Sequence, residues 1–115
     1  MTDAADESAG AEELFEVEVS AGEGRATLHV RAERLKRDHL PEFQAACDRL
    51  LESKQPELLI EARELHMMGS VFIGAVITTS EHAREAGQHM VMTAGESMAE
   101  VLRRLLGESV EVRAG

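Results

Sequence analysis

The first regular pattern along the chain is an alternation of apolar and acidic residues over residues 14–20. Alternation with a period of two is typical of a β-strand that buries one of its faces. A turn containing two glycines follows at residues 21–24, and a second alternating segment covers residues 26–30. The folded part of the chain is therefore predicted to begin with a β-hairpin.

Apolar residues then recur every three or four positions in residues 39–53 and 70–86, which predicts two amphipathic helices. Gly87 is placed to end the second of these helices in a left-handed conformation. A third helix is predicted to begin at Ser97, whose side chain would open a capping box, and to end at Gly107. The apolar positions expected to pack this helix against the core are Met98, Val101, Leu102 and Leu105.

Three short segments between and after these helices are predicted strands. Residues 57–61 and 89–93 are apolar in their middle, which is typical of strands buried on both faces, and residues 110–112 add a final strand. The predicted element order is ββαβαβαβ. A hairpin followed by alternating helices and strands predicts an α/β fold in which the helices pack on a mixed β-sheet.

The first residues of the chain differ from the rest in composition. Residues 1–13 contain five acidic residues and no basic ones, with mostly small residues between them. Such a segment buries too little apolar surface to offset the entropy lost on ordering, so it is predicted to be a disordered acidic tail. The remaining residues, 14–115, are predicted to form a single domain.

Charge and composition exclude several classes of partner. The chain carries 12 basic and 22 acidic residues, for a formal net charge of −10, and three phenylalanines with no tryptophan or tyrosine. Binding to nucleic acid needs local positive charge, and stacking of unpaired bases needs aromatic rings. No apolar segment is long enough for direct insertion into a membrane. The one basic cluster is small and comprises Arg31, Arg34, Lys36 and Arg37.

The sequence carries no motif for catalysis or for a cofactor. It lacks a phosphate-binding loop, a nucleophile elbow and a Cys-x-x-Cys pair, and its five histidines include no pair spaced by four residues for one metal ion. The single cysteine, Cys47, lies on the apolar stripe of the first predicted helix, which favours a buried thiol over a reactive one. We therefore expect no enzymatic activity, no cofactor and no metal, and the single cysteine fits a reducing cytoplasm.

One serine stands out as a candidate for function. Ser70 lies at the junction between the third predicted strand and the second predicted helix. In one interpretation its hydroxyl caps the helix by accepting a hydrogen bond from a backbone N–H group. In the other, the serine is exposed at a helix start that favours negative charge, so that phosphorylation changes the sign of a binding surface without unfolding the helix.

In this region the sequence resembles the sulfate transporter and anti-sigma factor antagonist (STAS) domain family. Family members carry an apolar strand followed by Asp-Ser-Ser/Thr-Gly-Leu-Gly at the start of a helix. Here Ser70 occupies the position of the phosphorylatable serine, and Ile73 and Gly74 occupy that of the closing Leu-Gly. Residues 86–92 resemble the glycine-rich turn into the family's fourth strand. The resemblance covers roughly residues 15–113 and implies a STAS-like mixed sheet.

The sequence departs from the family pattern at two acidic positions. Gly69 stands where the family has the aspartate before the serine, and Lys36 stands where it has an aspartate ahead of the first helix. In the family both acids lie near the surface that docks an anti-sigma kinase, so the resemblance implies a partner-binding surface with altered charge. The residues expected to form this surface are Lys36, Met68, Gly69, Ser70, Val71, Phe72 and Ile73.

The resemblance implies a non-enzymatic bacterial regulator, an anti-sigma factor antagonist whose partner switching is controlled by phosphorylation of Ser70. Its expected partner is an anti-sigma factor or switch kinase of the histidine-kinase-like ATPase type; a phosphatase and a homodimer are left open. The alternative is a constitutive STAS scaffold or accessory subunit, like those of stressosomes or lipid-transport complexes, in which Ser70 is only a helix cap. The expected location is the cytoplasm.

Overall fold

The computed structural model describes residues 14–115, and the predicted acidic tail at residues 1–13 lies outside the described residues. A short 3₁₀ turn, Arg37–His39, leads into the first α-helix. The strands are β1 (Phe15–Gly22), β2 (Arg25–Ala32), β3 (Arg34–Leu35), β4 (Glu57–Ala62), β5 (Met67–Met68), β6 (His89–Ala94) and β7 (Glu111–Ala114). The helices are α1 (Leu40–Glu52), α2 (Ser70–Glu85) and α3 (Glu96–Leu106).

Five of these strands form one mixed sheet in the order β1-β2-β4-β6-β7. β1 and β2 are antiparallel, as predicted for the hairpin, and β2, β4, β6 and β7 run parallel to one another. The predicted α/β class and the order of the main elements are confirmed. The structure adds β3 and β5, which pair with each other outside the main sheet. Strands of two residues are too short to show a period of two in the sequence.

The direction in which strands are added to the sheet decides where the helices lie. Each βαβ connection steps the same way, from β2 to β4 to β6 to β7, and such crossovers are right-handed in almost all proteins. The helices of all three connections therefore pack on one face of the sheet. On that face the cross-strand row Leu28, Ile60 and Met92 is at most 1% exposed.

Among residues 14–115 no helix covers the opposite, open face of the sheet, which corrects the prediction that residues 57–61 are buried on both faces. Leu58 and Ile60 in β4 are buried against the helices, whereas Leu59 and Glu61 are only half-buried on the open face. One ion pair crosses this face, Arg25–Glu57, with a nitrogen–oxygen distance of 3.3 Å, and because solvent screens it the pair contributes little to stability. Two contacts between an imidazole and a carboxylate also cross this face, His29–Glu61 and His89–Glu111, with nitrogen–oxygen distances of 3.4 and 3.1 Å.

Two phenylalanines join the first two helices inside the core. Phe43 lies on α1 and Phe72 lies in the first turn of α2, and both side chains are 0% exposed. Their rings meet edge to face, with centroids 5.4 Å apart and an interplanar angle of 73°. This arrangement is the preferred one for aromatic pairs, and it attaches the start of α2 firmly to α1.

The last helix packs through a different stripe from the predicted one. α3 begins at Glu96 with Gly95 as its N-cap, so Ser97 lies inside the first turn and does not open a capping box. Val101 and Leu105, which were expected to face the core, are 46% and 54% exposed. The predicted and observed sets of buried residues share Met98 and Leu102. Packing of α3 against the edge of the sheet decides which of the neighbouring apolar residues are buried with them. The residues that α3 buries are Met98, Ala99, Leu102 and Leu106.

Two glycines provide a paired test of these helix assignments. Gly74 lies inside α2, where an added β-carbon would meet no atom within 4 Å. Gly74→Ala is therefore expected to raise the free energy of unfolding by about 0.5–1 kcal/mol, because glycine is unfavourable inside a helix. Gly107→Ala is expected to lower it by about 1 kcal/mol, because the φ of Gly107 is +58°. Urea denaturation measures both changes, and a loss of stability in Gly74→Ala contradicts the expectation.

Candidate functional site

A two-residue ladder joins the segments that precede α1 and α2. β3 and β5 pair in parallel, with Leu35 opposite Met68. The carbonyl of Glu33 extends this ladder. It accepts hydrogen bonds from the backbone N–H groups of His66 (2.7 Å) and Met67 (3.1 Å). Lys36 and Gly69 directly follow the two strands. The ladder therefore brings the basic connection before α1 to the start of α2.

Ser70 is the first residue of α2 and is exposed to solvent. Gly69 is the N-cap: its backbone is extended (φ −72°, ψ 165°), and its carbonyl accepts hydrogen bonds from the N–H groups of Phe72 (3.0 Å) and Ile73 (3.3 Å). The Ser70 hydroxyl makes no hydrogen bond with any residue from 14 to 115. The interpretation of Ser70 as the helix cap is therefore wrong, because the helix begins one residue earlier than that role requires.

The start of α2 favours negative charge. Its first turn contains no acidic residue, so no side chain there offsets the positive end of the helix dipole. The first N–H groups of a helix also lack acceptors within the helix and point outward along its axis. Exposed basic residues lie in and directly after β3, which pairs with the strand just before α2, namely Arg34, Lys36 and Arg37.

Apolar side chains near the start of α2 divide between the surface and the core. Met67 is 57% exposed and Val71 is 41% exposed, while Met68 is half-buried. Phe72 is 0% exposed and Ile73 is 9% exposed, so the expectation that these two residues form a partner surface is wrong. Successive side chains point about 100° apart around a helix, which sends Val71 outward and the next two residues into the core.

The structure thus brings together part of the expected partner surface. Met67, which is 57% exposed at the start of β5, joins this surface. A two-residue ladder leaves no periodic signal in the sequence. The exposed residues that remain from the expected set are Lys36, Gly69, Ser70 and Val71.

The described residues offer little chemistry elsewhere. Between residues 14 and 115 no group of three or more His, Cys, Asp or Glu side chains is placed to hold a metal ion. No helix in this part of the chain is long and apolar enough to cross a lipid bilayer. Cys47 is 2% exposed, as expected, and burial raises the pKa of its thiol to about 11. It is one of the residues that line a cavity of about 390 Å³, together with Gly74 and His82.

Comparison with solved structures defines the fold. The chain matches an anti-sigma factor antagonist from Mycobacterium paratuberculosis with a TM-score of 0.76 and 15% sequence identity, over 89% of this chain and 87% of that one. It also matches the anti-sigma factor antagonist SpoIIAA in its unphosphorylated form, with a TM-score of 0.64 and 10% identity, over 88% and 89% of the two chains. No protein-family model and no curated protein matches the sequence. The chain therefore has a mixed α/β fold of the STAS type, as its resemblance to that family implied.

Proposed function

We propose that this protein is a non-enzymatic cytoplasmic regulator that binds another protein in the manner of an anti-sigma factor antagonist. The observation that carries the proposal is the exposed, unbonded hydroxyl of Ser70 at the first residue of α2 in a STAS fold. Met67 and Val71 add exposed apolar surface near it. Protein interfaces commonly combine an apolar centre with a polar surround, and this region offers both.

We further propose that phosphorylation of Ser70 controls this binding. A phosphate adds about −1.5 to −2 charges, which the acid-free first turn of α2 accommodates without unfolding. A partner that fits the neutral serine then loses affinity, because burying a dianion without a cationic counterpart is costly. The partner we expect is an anti-sigma factor or switch kinase of the histidine-kinase-like ATPase type, and a phosphatase would restore binding.

Intact-mass measurement of the protein purified from its own host tests the phosphorylation. We expect a species heavier by about 80 Da, the mass added by one phosphate group, which disappears in Ser70→Ala. Ser97→Ala is the matched control, because Ser97 is also an exposed serine in the first turn of a helix. A modified species that persists in Ser70→Ala, or unmodified protein under every growth condition, contradicts the proposal.

A constitutive scaffold or accessory subunit is the second candidate function. Gly69 and Lys36 favour it, because they replace the two acids that the STAS pattern places near the kinase-docking surface. Size-exclusion chromatography of tagged protein in host extracts distinguishes the two functions. Ser70→Glu should release a switch protein from its complex, whereas a scaffold subunit should elute in the same complex as before.

A further inference from the structure

A small basic surface lies beside the start of α2. Arg34, Lys36 and Arg37, all exposed, form it, and we call it the basic surface. Arg31 nearby is paired with Glu16 at 3.5 Å, whereas no acid between residues 14 and 115 forms an ion pair with Arg34 or Arg37. Two guanidinium groups thus lack an acidic partner in the described part of a chain whose net charge is −10.

The chain enters the fold next to this basic surface. Phe15, the first residue of β1, pairs with Ala32 at the end of β2. Its ring stacks on the imidazole of His39, with centroids 4.0 Å apart and planes within 2° of parallel. The Nδ1 atom of His39 in turn accepts a hydrogen bond of 3.1 Å from the backbone N–H of Lys36. The chain before residue 14 is therefore attached at the edge of the fold that carries the basic surface.

The segment attached there has the opposite charge. Residues 1–13 contain no lysine or arginine. Thirteen residues can span up to about 45 Å, so the basic surface is within reach of the segment. Attachment to the same chain corresponds to an effective concentration in the millimolar range, so a contact with a dissociation constant in that range or below is well populated. The acids of the segment are Asp3, Asp6, Glu7, Glu12 and Glu13.

We propose that the basic surface binds the acidic segment 1–13 of the same chain and is covered by it in the isolated protein. The contact is between exposed charges, so it weakens with salt as the Debye length falls from about 10 Å at 0.1 M to about 3 Å at 1 M. Its consequence for docking rests on the proposed function. A protein that docks beside Ser70 must displace the segment, which raises the dissociation constant of the complex.

Amide NMR spectra of the full chain, without any partner, test the contact. In the first variant all five acids of residues 1–13 are changed to their amides. We expect the amide resonances of residues 34–37 and 67–71 to shift in this variant at low salt and to differ little from those of the unmodified protein at 1 M salt. The control variant changes five exposed acids at the opposite end of the sheet to glutamine. These are Glu23, Glu52, Glu81, Glu85 and Glu108.

A reciprocal variant completes the design. Arg34→Gln combined with Arg37→Gln should shift the amide resonances of residues 3–13. Unchanged resonances at residues 34–37 in the first variant overturn the proposal, and so do equal shifts in the first variant and the control, which would indicate a general effect of net charge. Because no partner is present and Ser70 is unmodified, a negative result leaves the mass test of Ser70 unaffected.

Discussion

Phe72→Ala is expected to lower the free energy of unfolding by about 3–5 kcal/mol. The Phe72 side chain is 0% exposed and meets the ring of Phe43 edge to face, so its removal leaves a cavity where α2 packs on α1. Domains of this size have a total stability of about 5–15 kcal/mol, so the variant loses a large share of it. Urea denaturation followed by circular dichroism measures the change.

Val71→Ala is the matched control for this prediction. Val71 is the neighbour of Phe72 in the sequence but is 41% exposed, and its truncation is expected to change stability by no more than about 0.5 kcal/mol. If the proposed docking surface is correct, this variant weakens partner binding while the domain remains as stable as before. Similar losses of stability in the two variants would contradict the assignment of Phe72 to the core and Val71 to the surface.

Alkylation of Cys47 in the folded protein is expected to be at least about 100-fold slower than in the protein unfolded by urea, because the thiolate is the reactive form. Burial raises the pKa of this thiol from its ordinary value of 9.0 to about 11, against a smaller opposing effect of the hydrogen bond with Thr79. At pH 8 the fraction of Cys47 present as thiolate is therefore about 100-fold smaller in the folded protein than in the unfolded one. Mass spectrometry after timed exposure to iodoacetamide measures both rates, and rapid labelling of the folded protein contradicts the burial of Cys47.

The same thiol makes stability depend on alkaline pH. Because Cys47 holds its proton more tightly in the folded state, its contribution is complete below about pH 9 and is lost as the pH rises toward 11. Cys47→Ala removes the ionisable group at a buried position and should flatten this part of the profile. The midpoints of urea denaturation, measured at several pH values between 9 and 11, give this dependence for the unmodified protein and for Cys47→Ala. We expect the midpoint to fall less steeply with pH in the variant.

Local patterns in the sequence determined the type and order of the main elements. Alternation at the start of the folded part predicted the hairpin, and apolar residues at every third or fourth position predicted the first two helices. Gly87 and Gly107 follow α2 and α3 with φ values of +77° and +58°, the left-handed half of the map that glycine adopts at little cost. These features follow from neighbouring residues alone, which is why the sequence is enough to predict them.

The candidate site was located by its motif, but the motif did not determine which side chains are exposed. The resemblance pointed to Ser70, whereas the structure decided that Gly69 is the N-cap and that Ser70 is the first helical residue, with its hydroxyl unbonded. It also decided that Val71 faces solvent while Phe72 meets Phe43, a residue 29 positions earlier in the chain. α2 has apolar residues on several sides, and its contacts with α1 decide which side is buried.

The amino-acid sequence by itself determined the five strands of the main sheet, the three helices, their order and the acidic character of residues 1–13. The tertiary structure alone decided the pairing of β3 with β5, the buried stripe of α3 and the packing of α1, α2 and α3 on the same face of the sheet. The physical reason is that these features depend on contacts between residues far apart in the chain. The one-way order of the parallel strands, combined with right-handed crossovers, sends every connecting helix to the same face.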